Sequence, residues 1–143
     1  MAAGAEAEPF EILEHTADIG LRARGRTLGE LFENAAWGLA EILDVNTSSR
    51  ADARPESVTL GPADIEALLV DWMNELIVRT EEATDCVAGV QVSAVGEEGL
   101  QARVDLTHCA EAPEGTELKA ATYHQLAIRQ TSDGFEATVY FDV

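Results

Sequence analysis

Residues 133–142 read Asp133-Gly134-Phe135-Glu136-Ala137-Thr138-Val139-Tyr140-Phe141-Asp142. Asp-Gly turns a chain, and the residues after it alternate. Phe135, Ala137, Val139 and Phe141 share one face; Glu136, Thr138, Tyr140 and Asp142 share the other. A period of two with one apolar face marks a half-buried strand. Upstream, His124 to Gln130 alternates too, with Leu126 and Ile128 on one side. Val87 to Val95 and Leu100 to His108 flank Gly96-Glu97-Glu98-Gly99, which reads as a hairpin turn. Ser57 to Leu60 is a short strand candidate between the loops Asn46 to Glu56 and Gly61-Pro62, and Ala110 to Thr116 is a loop. Residues 10–25 read as a strand or hairpin entry, because Ile19, Leu21 and Ala23 alternate with Gly20, Arg22 and Arg24. Asp18 falls in phase with the polar set.

Two stretches switch to a helical period. Thr27 and Glu30 have capping-box spacing, and Leu28, Leu31, Phe32, Ala35, Leu39 and Ile42 then form one stripe. Trp37 points away from it, at ~100° per residue. Either it covers a sheet edge or it anchors a partner. Pro62 is placed to start the second helix, whose stripe is Ile65, Leu68, Leu69, Trp72, Met73 and Leu76. Its flank carries Asp71 and Glu75 one turn apart, a solvated acidic face unless a cation sits between them. The expected fold is α+β, a mainly antiparallel sheet with the two long amphipathic helices packed on one face. The domain is expected to span residues 10–143, after a disordered Ala/Glu-rich lead-in over residues 1–9 with none of the features of a signal peptide.

Composition narrows the function. The chain has 143 residues, and 46% of them are hydrophobic, enough for one core without staples. No apolar run nears the ~20 residues of a membrane span. Cys86 and Cys109 lie in no CxxC pair and are expected to be free thiols in a reducing cytoplasm. Twenty-seven acids against nine bases give a net charge of −18. Such a surface repels nucleic acid, so any RNA in this protein's biology is expected to be held by another protein. The alternative reading of the charge is a solubility device, for example in a salt-rich cell. Eight of the nine bases are arginine; Lys119 is the single lysine, where a compact ammonium can matter.

No GxSxG, Walker loop, GxGxxG or HExxH is present. The histidines are His15, His108 and His124, and no second Cys/His pair complements His108-Cys109 at zinc spacing. His108 is therefore read as a structural residue. Among the carboxylates, Asp18 and Asp142 lie on polar strand faces and converge if their strands are neighbours. The carboxylate or carbonyl of Val143 can join them. Such hard oxygen donors suit calcium or magnesium.

Four segments resemble one family. His15-Thr16-Ala17-Asp18-Ile19-Gly20, with Thr27-Leu28 and Leu31-Phe32-Glu33-Asn34-Ala35-Ala36, is similar to the start of an archease. Leu68 to Leu76 resembles its central helix, Lys119-Ala120-Ala121-Thr122-Tyr123-His124 its Lys-Ala-x-Thr-Tyr-His segment, and Glu136 to Val143 its ending. The resemblance implies a small α+β domain that is not an enzyme. It implies a metal-binding factor that promotes guanylylation and multiple turnover of an RtcB-type RNA ligase in tRNA splicing and RNA repair. The metal ligands it implies are Asp18, Asp142 and the Val143 backbone, around a divalent cation. Lys119, His15 and His124 are then partner-activation residues. The alternative is a general chaperone or modulator of an RNA-modifying enzyme such as a methyltransferase. A metal-dependent hydrolase using His15, Asp18 and Asp142 has no recognised nucleophile or phosphate cradle to support it. Gln125 stands where many members have glycine, and Phe135 where tryptophan is common; both read as packing differences.

Overall fold

The computed structural model describes residues 8–14 and 18–143. The lead-in before residue 8 and the expected site residue His15 lie outside them. In chain order the elements are β1 (Phe10–Glu14), β2 (Asp18–Gly25), α1 (Leu28–Leu43), β3 (Arg54–Leu60), α2 (Ile65–Ala83), β4 (Asp85–Gly96), β5 (Gly99–His108), β6 (Ala120–Thr131) and β7 (Gly134–Asp142).

The α+β class is as expected. The strands divide into two antiparallel sheets, ordered β1-β2-β7-β6 and β3-β5-β4. Helix α1 packs on β2 of one sheet and β4 of the other, and α2 on β6 and β4. The helices thus bridge the two sheets over a single cluster that includes Leu21, Phe32, Leu39, Trp72, Met73, Leu106 and Phe141. Trp72 is fully buried, and its indole N–H donates to the Phe32 carbonyl at 2.9 Å, tying α2 to α1. Trp37 is half-buried and packs against the core, so it is not a free-standing anchor.

Local chemistry explains the helix ends. The Thr27 hydroxyl accepts from Glu30 N–H at 3.1 Å, and the Glu30 carboxylate accepts from Arg26 N–H at 3.0 Å. Helix α2 begins later than Pro62 implied, because Asp64 caps it by accepting from Ala67 N–H at 2.8 Å. Likewise β3 starts at Arg54, inside the expected loop, because Arg54 pairs with Leu106 of β5. Glu75 does have its cation: Arg79, one turn on, donates to it at 2.9 Å and to Glu56 of β3 at 2.6 Å.

The expectation of two free thiols is overturned. Cys86 and Cys109 form a disulfide, with Cα atoms 5.1 Å apart. Cys86 stands opposite Thr107 in the β4–β5 ladder, and Cys109 follows β5 directly, so pairing brings the two side chains within bridging range.

Candidate metal and partner site

One end of the first sheet gathers most of the residues singled out above. β2 and β7 run antiparallel with Asp18 opposite Asp142, Ile19 opposite Phe141 and Gly20 opposite Tyr140. Directly opposed residues project to the same face. On β7 that face carries Tyr140 and Asp142, while Val139 and Phe141 go to the core. The buried set therefore fixes the register, and the register brings the two carboxylates together. Asp142 is exposed and Asp18 half-buried.

Like charges directly opposite one another in a sheet are destabilising. Among the described residues, neither Asp18 nor Asp142 is in an ion pair. The arginines are engaged elsewhere. The pair has no protein counter-charge among the described residues, and its donors are hard oxygens, the type that suits calcium or magnesium. Among the described residues no three His, Cys, Asp or Glu side chains gather for a metal. Two carboxylates can hold one only with main-chain oxygen, such as that of exposed Val143, or with water.

The start of β6 completes this end. Lys119 N–H donates to the Asp142 carbonyl at 2.8 Å, and Ala120 stands opposite Asp142. The Lys119 side chain is exposed. Asn74 of α2 holds the strand from below, its amide oxygen accepting from Ala121 N–H at 2.7 Å.

Past Thr122 the β6–β7 ladder breaks. Thr122 pairs with Tyr140, and the next paired residue is Ala127, opposite Thr138. Residues 123–126 form a bulge with no partners on β7. The Thr122 hydroxyl secures the bulge, donating to the Tyr140 carbonyl at 3.1 Å and accepting from His124 N–H at 3.3 Å. The exposed His124 ring lies edge-on to Tyr140, with centroids 6.2 Å apart. Gln125 sits at φ 51°, in the left-handed region, so its departure from glycine is a matter of backbone and not of packing.

Asp18, Asp142, Val143, Lys119 and His124 are thus brought to one end of one sheet. His108 is elsewhere, at the exposed end of β5 opposite Asp85. Two further residues, named in the sequence only for their strand face and motif, join this end. Tyr140 links His124 to the carboxylate face, and Tyr123, 60% exposed, stands on the bulge. The signal for Tyr140 was Gly20: a Cβ there would lie 2.7 Å from the Tyr140 ring, so glycine makes room for it. A cleft of about 720 Å³ lies at the opposite end of this sheet, among Arg24, Arg26, Asn34, Phe135 and Glu136.

The archease protein family (MTH1598/TM1083) matches residues 10–143. This chain belongs to the archease family. The protein archease of Methanosarcina acetivorans is 35% identical over 144 residues, covering 96% of this chain and 98% of the relative. That of Saccharolobus solfataricus is 31% identical over 141 residues, covering 94% and 98%. Among solved structures, the crystal structure of an archease from Thermotoga maritima, described as a possible chaperone, is 27% identical with a TM-score of 0.67. It covers 92% of this chain and 94% of that one. The solution structure of Methanobacterium thermoautotrophicum protein 1598 is 26% identical with a TM-score of 0.68, covering 94% and 99%. The archease family therefore accounts for the fold over nearly the whole chain. No helix among the described residues is long and apolar enough to cross a membrane.

Proposed function

We propose that this protein is a metal-carrying accessory factor that promotes guanylylation and multiple turnover of an RtcB-type RNA ligase, in tRNA splicing and RNA repair. The observation that carries this reading is the direct opposition of Asp18 and Asp142 beside Lys119, with no protein cation between the carboxylates among the described residues. Asp18, Asp142 and the Val143 backbone would hold a calcium- or magnesium-like ion. Such an ion, when bound, would supply positive charge to offset triphosphate charge during nucleotidyl transfer. The exposed Lys119 adds an ammonium at the same end, and its backbone N–H orients the Asp142 main chain. His124, set by the bulge and the Tyr140 ring, offers a nitrogen donor or acceptor to the partner surface. The net charge of −18 supports action through the ligase and not on its RNA.

The test is label transfer from GTP to a cognate ligase. The parent protein is expected to stimulate it. Asp142→Ala and Asp18→Ala should each lose about tenfold or more of that stimulation, and Lys119→Ala should weaken it while leaving metal binding intact. Undiminished stimulation by Asp142→Ala would sink the proposal. The Thermotoga protein's description supports the second reading, a general chaperone. That reading gains if the parent leaves guanylylation unchanged yet keeps an RNA-modifying methyltransferase soluble on heating.

A further inference from the structure

A groove of about 290 Å³ lies where the two helices end. Leu43, Ile77 and Leu118 give it an apolar lining, and the exposed Glu81 and Glu117 border it. The loop between β5 and β6 forms one wall, and that wall is fixed along its length. Cys109 is bonded to Cys86, and Cys109 N–H donates to the Thr84 carbonyl at 3.2 Å. Glu114 N–H donates to the Asp44 carboxylate at 2.9 Å and Thr116 N–H to the Ile42 carbonyl at 2.9 Å. The groove is therefore preformed.

Its electrostatics are mainly negative, with Lys119 just outside its Leu118 edge. The C-termini of α1 and α2 both end here, and each carries a partial negative charge of roughly half an electron. Such ends favour Lys or Arg, yet neither helix has a basic residue in its last turn. Residues 27–49, 80–102 and 104–118, which supply nearly all of the lining, contain no lysine or arginine. Arg79, the nearest cation on α2, is engaged by Glu75 and Glu56. An apolar floor, two carboxylates and two negative helix ends complement a cationic side chain on an aliphatic stem.

From this we infer that the groove docks a protein segment presenting an arginine or lysine beside a leucine-like side chain. The inference goes beyond the ligase reading and is independent of it. The groove ends at Leu118, one residue before Lys119, so a segment seated there lies next to the Asp18–Asp142 end.

The experiment follows amide NMR shifts of the full chain during titration with a short capped peptide whose arginines and leucines share one helical face. Shifts should concentrate at Leu43, Ile77, Glu81, Gly115 and Leu118. Glu81→Lys combined with Glu117→Lys should weaken binding about tenfold, the scale of losing close charge pairs at an interface. Both positions are exposed, so these variants should fold, and a Glu81→Gln/Glu117→Gln protein should fall between them and the parent. Glu97→Lys with Glu98→Lys, in the β4–β5 turn, makes the same change in net charge and should leave affinity unaltered. A peptide with serine for leucine should lose the groove shifts. Diffuse shifts over the acidic surface, or equal weakening by the turn variant, would overturn the proposal.

Discussion

At the scale of single residues, backbone conformation gives the clearest predictions. Thr84, the C-cap of α2, sits at φ 56°, and Gln125 at φ 51°. The left-handed region costs an L-residue roughly 1–2 kcal/mol, and a β-branched residue fits it worst. Thr84→Gly should raise stability by about 1 kcal/mol in a urea unfolding curve, after allowance for glycine's greater freedom when unfolded. Gln125→Gly should give a smaller gain at the bulge. Glu136 contributes to the acid response. Arg129 donates to it at 2.6 Å and Arg24 at 3.0 Å, and these bonds, Arg129's first, hold its carboxyl below the usual range against the opposing effect of burial. A depressed carboxyl stabilises the fold above its unfolded pKa, and that stability is lost as pH falls through the folded value. The parent should therefore exceed Glu136→Gln in stability near neutrality, and the difference should shrink below about pH 4, as followed by circular dichroism melts.

At the scale of elements, close approach decides the packing. A Cβ on Gly38 of α1 would lie 2.5 Å from Leu21 Cδ1 and 3.0 Å from the Phe10 ring. Glycine therefore lets α1 settle onto β1 and β2, despite being a poor helix former. Gly38→Ala improves helix propensity by about 1 kcal/mol, but overpacking costs about 1–3 kcal/mol, so thermal melts should show net destabilisation. The helix stripes were legible in the sequence because α1 and α2 each bury one face. The four-residue bulge in β6 was not, because the alternation of Leu126 and Ile128 does not mark where pairing with β7 breaks. A chain of ion pairs, Glu11–Arg24–Glu136–Arg129, crosses all four strands of the first sheet. It lies six residues along β2 from Asp18, about 20 Å away at strand rise. The structural charges and the candidate metal charges are thereby kept at opposite ends.

At the scale of the whole molecule, the Cys86–Cys109 bond closes a loop across the β4–β5 hairpin, with 23 residues of separation. Loop-closure entropy for that length is worth about 3 kcal/mol. Reduction, or Cys109→Ser, should lower unfolding stability by about that amount. Thiol labelling of the unreduced, denatured chain should find no reactive cysteine. With a charge of −18 the protein should not retain tRNA at ~0.1 M salt in a gel-shift assay, and retention would count against action through a partner.

The sequence by itself determined the elements, the buried faces and the family, because periodicity and short motifs are written in adjacent residues. It also marked Asp18 and Asp142, since their phase on polar strand faces is local information. Only the tertiary structure decided that the strands part into two sheets, that Asp18 faces Asp142, that Cys86 meets Cys109, and that two helix ends share one groove with the β5–β6 loop. Each of these is a pairing between distant segments. Pairings are settled by which faces must be buried together, a property of the packed chain and not of any stretch of it.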